Sequence, residues 1–184
     1  LYNCSYLPVN SISSFSDILY ILCCGTGVGF SCESIETNQL PIIPEINRNE
    51  KIIIDVDDSR RGWADSFNDL LSALYGGFHP TWDLSQIRPK GSRLKTFGGR
   101  ASGPEPLERL FKFVIKLFYN AEGRKLTPLE VHDIVCMIGE VVIAGGVRRS
   151  ALISLSDLDD REMARAKTGP WWEQDGHRAL SNNS

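Results

Sequence analysis

The alternation of short apolar runs with amphipathic segments is the feature that most limits what this chain can fold into. Apolar or β-branched runs at 2–9, 51–56 and 149–155 are separated by stretches in which apolar residues recur every three or four positions. The runs predict strands, and the three-to-four spacing predicts helices that pack on them. Strands that alternate with helices favour an α/β fold, built on a parallel sheet or barrel that is covered on both faces.

Capping residues mark the ends of the predicted helices. Ser59, with Asp57 and Asp58 before it, supplies N-cap chemistry for a helix that runs through Leu74. A capping box follows at 127–130, with a proline at the first helical position. The predicted helices cover 14–24, 60–74, 104–119 and 128–144.

The other segments lack a regular apolar spacing. Residues 33–50 and 78–103 are predicted to be irregular, and Ser156 is predicted to open a short acidic helix. The last four residues are predicted to add no closing element. Because the chain starts without a methionine and stops in this segment, we expect an internal piece of a longer protein, produced by an intein or a truncated gene.

Composition excludes several classes of protein. The chain has 184 residues, of which 42% are apolar and 23% charged, and this mix argues against disorder. The net charge of −3 argues against a general nucleic-acid binder, and the longest apolar runs are too short to cross a membrane. The start shows no signal peptide, so we expect a cytoplasmic protein with neither nucleic-acid nor membrane partners.

The five cysteines do not form a recognisable framework. Their number is odd, they contain no Cys-x-x-Cys pair, and only three histidines accompany them, which argues against a disulfide scaffold and a zinc site. We interpret Cys23, Cys24 and Cys136 as structural and leave Cys32 open. Cys4 is either a small buried side chain or a nucleophilic or redox thiol, depending on which groups lie near it.

Glycine-rich sequence at 25–31 and 88–104 offers two candidate ligand-binding loops. The first loop has neither the dinucleotide-binding spacing nor a Walker lysine, so it is either a tight turn or a backbone that approaches a ligand closely. The second holds five positive charges, four glycines and no acidic residue, in an acidic chain. It suits a polyphosphate or nucleotide, and a solvated basic loop is the alternative.

The stretch 57–63 also has two interpretations. Helix capping and a buried tryptophan account for most of its residues. A carboxylate and a hydroxyl at a helix start could equally contact a sugar or the edge of a base. The residue types alone do not separate these alternatives.

Five segments in this order resemble the adenosylcobalamin-dependent ribonucleotide reductases, in particular the monomeric ribonucleoside-triphosphate type. The segments are Asn3-Cys4-Ser5-Tyr6, the glycine loop at 25–31, Asp58-Ser59-Arg60-Arg61-Gly62-Trp63, the loop at 88–104 and Ala144-Gly145-Gly146-Val147-Arg148-Arg149-Ser150-Ala151. The resemblance covers essentially the whole chain. It implies part of a ten-stranded α/β barrel, namely the first half over residues 1–184, with an effector-binding insertion at about 32–125.

The resemblance also implies an activity. The family reduces ribonucleotides to 2′-deoxyribonucleotides by thiyl-radical chemistry, with adenosylcobalamin as the radical source and a cysteine pair as the reductant. We therefore expect a ribonucleoside triphosphate as substrate, a deoxynucleoside triphosphate as allosteric effector, thioredoxin or a similar dithiol protein as reductant, and a monomeric full-length enzyme. The radical cysteine, the second reducing cysteine and the cobalamin-binding region would lie beyond residue 184.

The resemblance assigns roles to residues of this chain. Cys4 matches the first reducing cysteine. The residues matched to substrate binding are Asn3, Ser5, Gly25, Thr26 and Gly27. The residues matched to the effector site and specificity loop are Asp58, Ser59, Lys90, Arg93, Lys95, Gly98, Gly99 and Arg100, although Asp57 competes with Asp58. Two alternatives stay open: a catalytic subunit of another ribonucleotide reductase class, and a nucleotide-binding regulatory module without catalysis.

Overall fold

The computed structural model describes residues 3–93, 100–144 and 151–183, and within these ranges the fold is α/β. The strands are β1 (Cys4–Pro8), β2 (Gly27–Ser31), β3 (Asn47–Asp55), β4 (Phe78–Asp83), β5 (Leu152–Leu155) and β6 (Ser181–Asn183). The helices are α1 (Ile12–Cys23), α2 (Ser34–Thr37), α3 (Arg60–Tyr75), α4 (Glu105–Asn120), α5 (Pro128–Ala144) and α6 (Arg161–Arg165). Short 3₁₀ turns at Trp171–Glu173 and Gly176–Leu180 precede β6.

The strands form two parallel sheets, as the alternating pattern predicts. One sheet has four strands in the order β1-β2-β5-β6, and the other pairs β3 with β4. The helices α1 and α5 pack together and against the first sheet, while α3 and α4 pack with the second. Contacts between α1 and α3 join the two halves through a shared apolar core.

The four-stranded sheet has one covered face and one open face. Val28 and Phe30 of β2 and Leu152 of β5 lie on the covered face, where they belong to the buried core. On the open face, the register places Tyr6 beside Gly29 and Gly29 beside Ile153. Tyr6 is 57% exposed and Ile153 is 49% exposed, so this face carries apolar side chains in contact with solvent.

The predicted helices are confirmed, with shifts at their ends. Helix α1 begins at Ile12, earlier than predicted, because Ser11 provides its cap. The capping box before α5 is present: Thr127 N donates to Glu130 Oε2 over 2.9 Å, and Glu130 N donates to Thr127 Oγ1 over 3.2 Å. The acidic helix expected at Ser156 begins instead at Arg161, because Asp160 accepts from two amides of its first turn.

Three segments predicted as irregular or open-ended contain strands. Residues 78–83 form β4 although they include Pro80, which pairs with Ile52 on one side only. An edge strand tolerates proline because its outward N–H needs no partner. Strand β3 also starts earlier than predicted, at Asn47, and Ser181–Asn183 pairs with β5 as strand β6. A three-residue polar strand has no apolar alternation, so only its tertiary partners reveal it.

A buried ionic network anchors β6. The guanidinium of Arg178 donates two hydrogen bonds of 2.7 Å to the carboxylate of Asp133 on α5, with both side chains nearly 90% buried. Arg178 also donates to the carbonyl oxygen of Ala166 over 3.0 Å. Beside this pair, Nε2 of His132 lies 3.3 Å from Oδ1 of Asn183 in β6. The network thus joins α5 to the last strand of the sheet.

No helix in the described ranges is long and apolar enough to span a membrane.

We predict that Arg178→Leu lowers the free energy of unfolding of the chain by about 3 kcal/mol at neutral pH, because it leaves the Asp133 carboxylate buried without its partner. Urea unfolding measures the effect. The exposed Arg161 is the matched control, and Arg161→Leu should change the free energy by less than about 0.5 kcal/mol. Equal small losses in both variants would contradict the anchoring role.

We predict that this pair also sets part of the acid sensitivity. Burial alone would raise the pKa of Asp133, but the hydrogen bonds from Arg178 and His132 outweigh it and hold the pKa well below its usual range. A pKa that is lower in the folded state stabilises the protein above about pH 4 and ceases to do so as the pH falls further. Unfolding at pH 5 and pH 3 should therefore show a smaller loss in Asp133→Asn than in the unmutated chain. The exposed Asp65→Asn is the control.

Candidate functional site

Cys4 opens strand β1 on the open face of the four-stranded sheet. Its side chain is exposed, so it is not the buried apolar residue that the sequence left as an alternative. Cys4 is in register with Gly27 of β2, and Ala151 lies beyond Gly27 on the same face. A thiol, a residue without a side chain and a methyl group therefore lie in one row across three strands.

Gly27 has a steric reason to be glycine. A Cβ atom there would lie 3.3 Å from Cβ of Ala151 and 3.7 Å from the carbonyl oxygen of Asn3. The backbone N–H of Gly27 donates to that Asn3 oxygen over 3.0 Å, and Ser5 Oγ donates to the Gly27 carbonyl over 3.2 Å. The structure thus brings together Asn3, Cys4, Ser5 and Gly27, four residues that the resemblance matched to catalysis or substrate binding.

Gly25 and Thr26 form the turn between α1 and β2. Gly25 has a φ of +85°, and its N–H donates to the carbonyl oxygen of Leu22 over 2.9 Å. No atom lies within 4 Å of a Cβ built there, so its positive φ, rather than crowding, explains the glycine. The tight-turn interpretation therefore holds for Gly25, while the close-approach interpretation fits Gly27.

The cysteines fall into two groups by exposure. Burial is the main cause that raises the pKa of Cys23 to about 12 and that of Cys32 to about 11, and it also raises the pKa of Cys136. These three thiols therefore stay protonated at neutral pH and are poor nucleophiles. Cys32 also contacts Ser154 Oγ at 3.3 Å, which fits a structural role. Cys24 is exposed like Cys4, so the prediction that it is a packed structural residue was wrong.

A second set of predicted residues lies on the other sheet, where β3 leads into α3. Ser59 is the N-cap residue and accepts a hydrogen bond of 2.9 Å from the N–H of Gly62. A Cβ at Gly62 would lie 2.5 Å from Cβ of Asp57, so this turn requires glycine. Asp58 Oδ2 accepts a hydrogen bond of 2.6 Å from Nε of Arg88. Of the two adjacent carboxylates, Asp58 is thus the one joined to the basic loop.

The basic loop closes at its base like a hairpin. The N–H of Gly91 donates to the carbonyl oxygen of Ala101 over 2.9 Å, and the N–H of Ala101 donates to that of Ser92 over 2.8 Å. Arg93 and Arg100 form an antiparallel bridge beside these bonds. These contacts hold the two ends of the loop together.

The outer part of the loop is only partly covered by the structure. Lys95, Gly98 and Gly99 lie outside the described residues. Lys90 and Arg93 are exposed at the base of the loop. Arg100 donates from its guanidinium to the carbonyl oxygen of Gly91 over 3.0 Å, so one predicted binding side chain takes part in closing the loop.

The two sets of residues form two separate sites. The first lies on the open face of the four-stranded sheet, and the second lies where the two-stranded sheet leads into α3. Sequence reasoning counted Arg88 only as one of five loop charges and missed its pairing with Asp58. No local pattern reveals a contact between side chains 30 residues apart.

Among the described residues, no group of three or more His, Cys, Asp or Glu side chains could hold a metal ion. We therefore assign no cobalt or cobalamin contact to any residue of this chain.

Comparisons with known proteins agree with the resemblance. The family model for the B12-dependent ribonucleotide reductase insertion domain matches residues 35–118. That range contains β3, α3, β4 and most of α4, together with the basic loop.

Two curated relatives and one solved structure match over nearly the whole chain. The adenosylcobalamin-dependent ribonucleoside-triphosphate reductase of Euglena gracilis is 32% identical over 100% of this chain and 26% of that protein. The protein of the same name from Levilactobacillus brevis is 31% identical over 98% of this chain and 29% of that protein. A crystal structure of a B-12 dependent (class II) ribonucleotide reductase superposes with a TM-score of 0.85 at 24% identity, covering 100% of this chain and 32% of that one.

The chain thus spans between a quarter and a third of the length of these relatives. The fold over the whole chain, the insertion-domain match and the sequence identity agree with one another. The chain belongs to the adenosylcobalamin-dependent (class II) ribonucleotide reductase family and matches a part of its members that includes the insertion domain.

Proposed function

We propose that this chain is the part of a ribonucleoside-triphosphate reductase that carries one of the two reducing cysteines, part of the nucleoside-binding surface and the loop that responds to the effector. The observation that carries the proposal is the row formed by the exposed Cys4 thiol and the side-chain-free Gly27 on the open face of the sheet. This face would be the interior of a ten-stranded barrel, of which the chain forms part of the first half. The exposed apolar side chains Tyr6 and Ile153 support an open face that the rest of the protein covers.

The proposed role of Cys4 is to supply one of two thiols. Reduction of a ribonucleotide replaces the 2′-hydroxyl by hydrogen and releases that oxygen as water. Two thiols provide two electrons and two protons, and they become a disulfide. A thiol fixed at the start of a paired strand is held in a defined position, as such a reaction requires. The second thiol would come from the remainder of the full-length protein.

The proposed role of the neighbouring residues is to bind the nucleoside. Gly27 leaves room for a sugar or base to approach the backbone. Asn3, Ser5, Gly25 and Thr26 flank this position, and the hydrogen bond from Ser5 Oγ to the Gly27 carbonyl stiffens the connection between β1 and β2. The site therefore offers the substrate a rigid surface beside a thiol.

The proposed role of the basic loop is to pass information from a bound deoxynucleoside triphosphate to the substrate site. Its base is fixed by the Asp58–Arg88 pair and by the bridge from Arg93 to Arg100. The loop bonds therefore leave its outer residues, which include Lys95, Gly98 and Gly99, to change conformation between effectors. We place the effector-binding segment at about 32–125 within a partial catalytic domain of residues 1–184.

Several further features are proposals for the full-length protein. Adenosylcobalamin, when bound there, supplies the radical chemistry, and residues outside this chain would hold it. A thioredoxin-like dithiol protein would reduce the disulfide that includes Cys4. The enzyme would act as a monomer in the cytoplasm.

We predict that Cys4→Ser in the full-length protein reduces turnover to the background rate with a thioredoxin-like protein or with dithiothreitol as reductant, because one of the two reducing thiols is lost. Deoxynucleotide formation measures the effect. Cys24→Ser is the matched control, because Cys24 is the other exposed cysteine, and it should keep full activity.

An unchanged rate in Cys4→Ser would contradict the reducing role. If the full-length protein bound deoxynucleotides but never turned over, a regulatory nucleotide-binding module would explain the chain better.

We predict that Asp58→Asn weakens effector binding roughly tenfold, because the loss of the carboxylate charge releases Arg88 and the base of the loop. The dependence of substrate preference on the deoxynucleotide should weaken in parallel, while turnover without effector persists. Equilibrium titration and turnover of mixed substrates measure the two effects. Asp65→Asn is the control, because Asp65 pairs with Arg61 on the same helix and is exposed.

If Asp58→Asn left both effector affinity and substrate preference unchanged, the assignment of this region to the effector would be wrong.

A further inference from the structure

A groove lined by cationic and aromatic side chains lies along the outer side of the insertion, between the two-stranded sheet and helix α4. Its volume is about 550 Å³, which is within the range of small-molecule sites. Its main lining residues are Arg48, His79, Trp82, Lys112, Lys116 and Tyr119. Of the described residues that line it, none is acidic.

The groove is separate from the proposed effector loop. Arg48 lies near the start of β3 and His79 near the start of β4, whereas Asp58 follows the end of β3. About ten residues of mostly extended backbone separate Arg48 from Asp58, which corresponds to roughly 30 Å. The two regions therefore lie towards opposite ends of the two-stranded sheet.

The aromatic side chains in the groove are already held in place. Tyr119 Oη lies 2.6 Å from Nδ1 of His79, and the two rings stack with their centroids 6.1 Å apart. Trp82 packs edge to face on the buried Phe111, with a centroid distance of 5.4 Å. Rings fixed in this way can stack on a base without a further loss of side-chain freedom.

The cations form a concentrated positive field. The guanidinium of Arg48 lies 4.6 Å from the centroid of the Tyr119 ring. Lys112 and Lys116 are one helical turn apart on α4, and Lys112 also pairs with Glu108 at 2.7 Å. Partial burial, followed by the charges of Lys51 and Arg48, lowers the pKa of His79, as expected where positive charges cluster.

We propose that this groove binds a nucleoside polyphosphate, with the base against the rings of Trp82, His79 and Tyr119 and the phosphates on Arg48, Lys112 and Lys116. The combination of fixed aromatic rings with three cations is what distinguishes a nucleotide from a simple anion as the ligand. The volume matches one nucleotide rather than a strand of nucleic acid. The site goes beyond the proposed function, because it does not use Cys4, Asp58 or the basic loop.

The test measures binding of dATP to the full-length protein by calorimetry, in an Asp58→Asn background that weakens the proposed effector site. Lys116→Glu should weaken the remaining dATP binding roughly tenfold or more, because it reverses a charge that faces the phosphates. Arg161→Glu is the matched control, since Arg161 is exposed on α6 and gives the same change in net charge. It should change the affinity by less than about twofold.

A second ligand tests the role of the rings. Inorganic tripolyphosphate should bind roughly tenfold more weakly than dATP, because it lacks the base that stacks on Trp82. Trp82→Leu should reduce this difference, with circular dichroism as the check on folding. Equal affinity for the two ligands in the unmutated protein would overturn the nucleotide assignment, and tighter binding of a single-stranded oligonucleotide would overturn the limit to one nucleotide.

The outcomes separate this proposal from the effector proposal. If Lys116→Glu has no effect on dATP binding, or no dATP binding remains in the Asp58→Asn background, the groove is not a nucleotide site. If Asp58→Asn has no effect and Lys116→Glu weakens binding, the groove stands and the effector assignment fails.

Discussion

The bidentate pair between Asp133 and Arg178 is the interaction on which the edge of the main sheet depends. It joins the first turns of α5 to the segment just before β6, and His132 on the same helix contacts Asn183 in that strand. Strand β6 has three residues, two of them exposed, so it contributes little apolar burial of its own. A buried pair with good geometry is costly to break once formed, because the remaining charge loses its only compensation. The width of the open face, from β1 to β6, follows from this anchor.

The open face matters because parallel register sorts the side chains of each strand to one side or the other. On the covered side, Val28, Phe30 and Leu152 join the apolar core. On the open side, Cys4 and Gly27 share a row, and Tyr6, Gly29 and Ile153 share the next one. The absence of side chains at the two glycines makes a shallow depression between β1 and β5. A reactive thiol beside such a depression is an economical arrangement for chemistry on a sugar, and this is the basis of the proposed role.

The insertion adds a second sheet that differs from the first in both size and chemistry. Only β3 and β4 form it, and α3 and α4 supply most of its buried surface. One end carries Asp58, Arg88 and the closed base of the basic loop, whereas the cationic and aromatic groove lies towards the other. Because α3 packs on α1, the insertion is fixed to the main sheet through the core rather than through either proposed ligand site. Ligands bound at its two ends would therefore act on a shared rigid body.

The sequence by itself determined the α/β class, the four long helices and the capping box at Thr127 and Glu130, because these depend on local spacing and on hydrogen bonds between residues three or four apart. Ordered segments such as Asn3-Cys4-Ser5-Tyr6 also indicated the family. Only the tertiary structure decided that residues 78–83 form a strand despite Pro80, that Cys4 and Cys24 are exposed, and that Asp58 rather than Asp57 pairs with Arg88. Each of these depends on a partner distant along the chain, and pairing energy between distant residues leaves no periodic signal in the sequence.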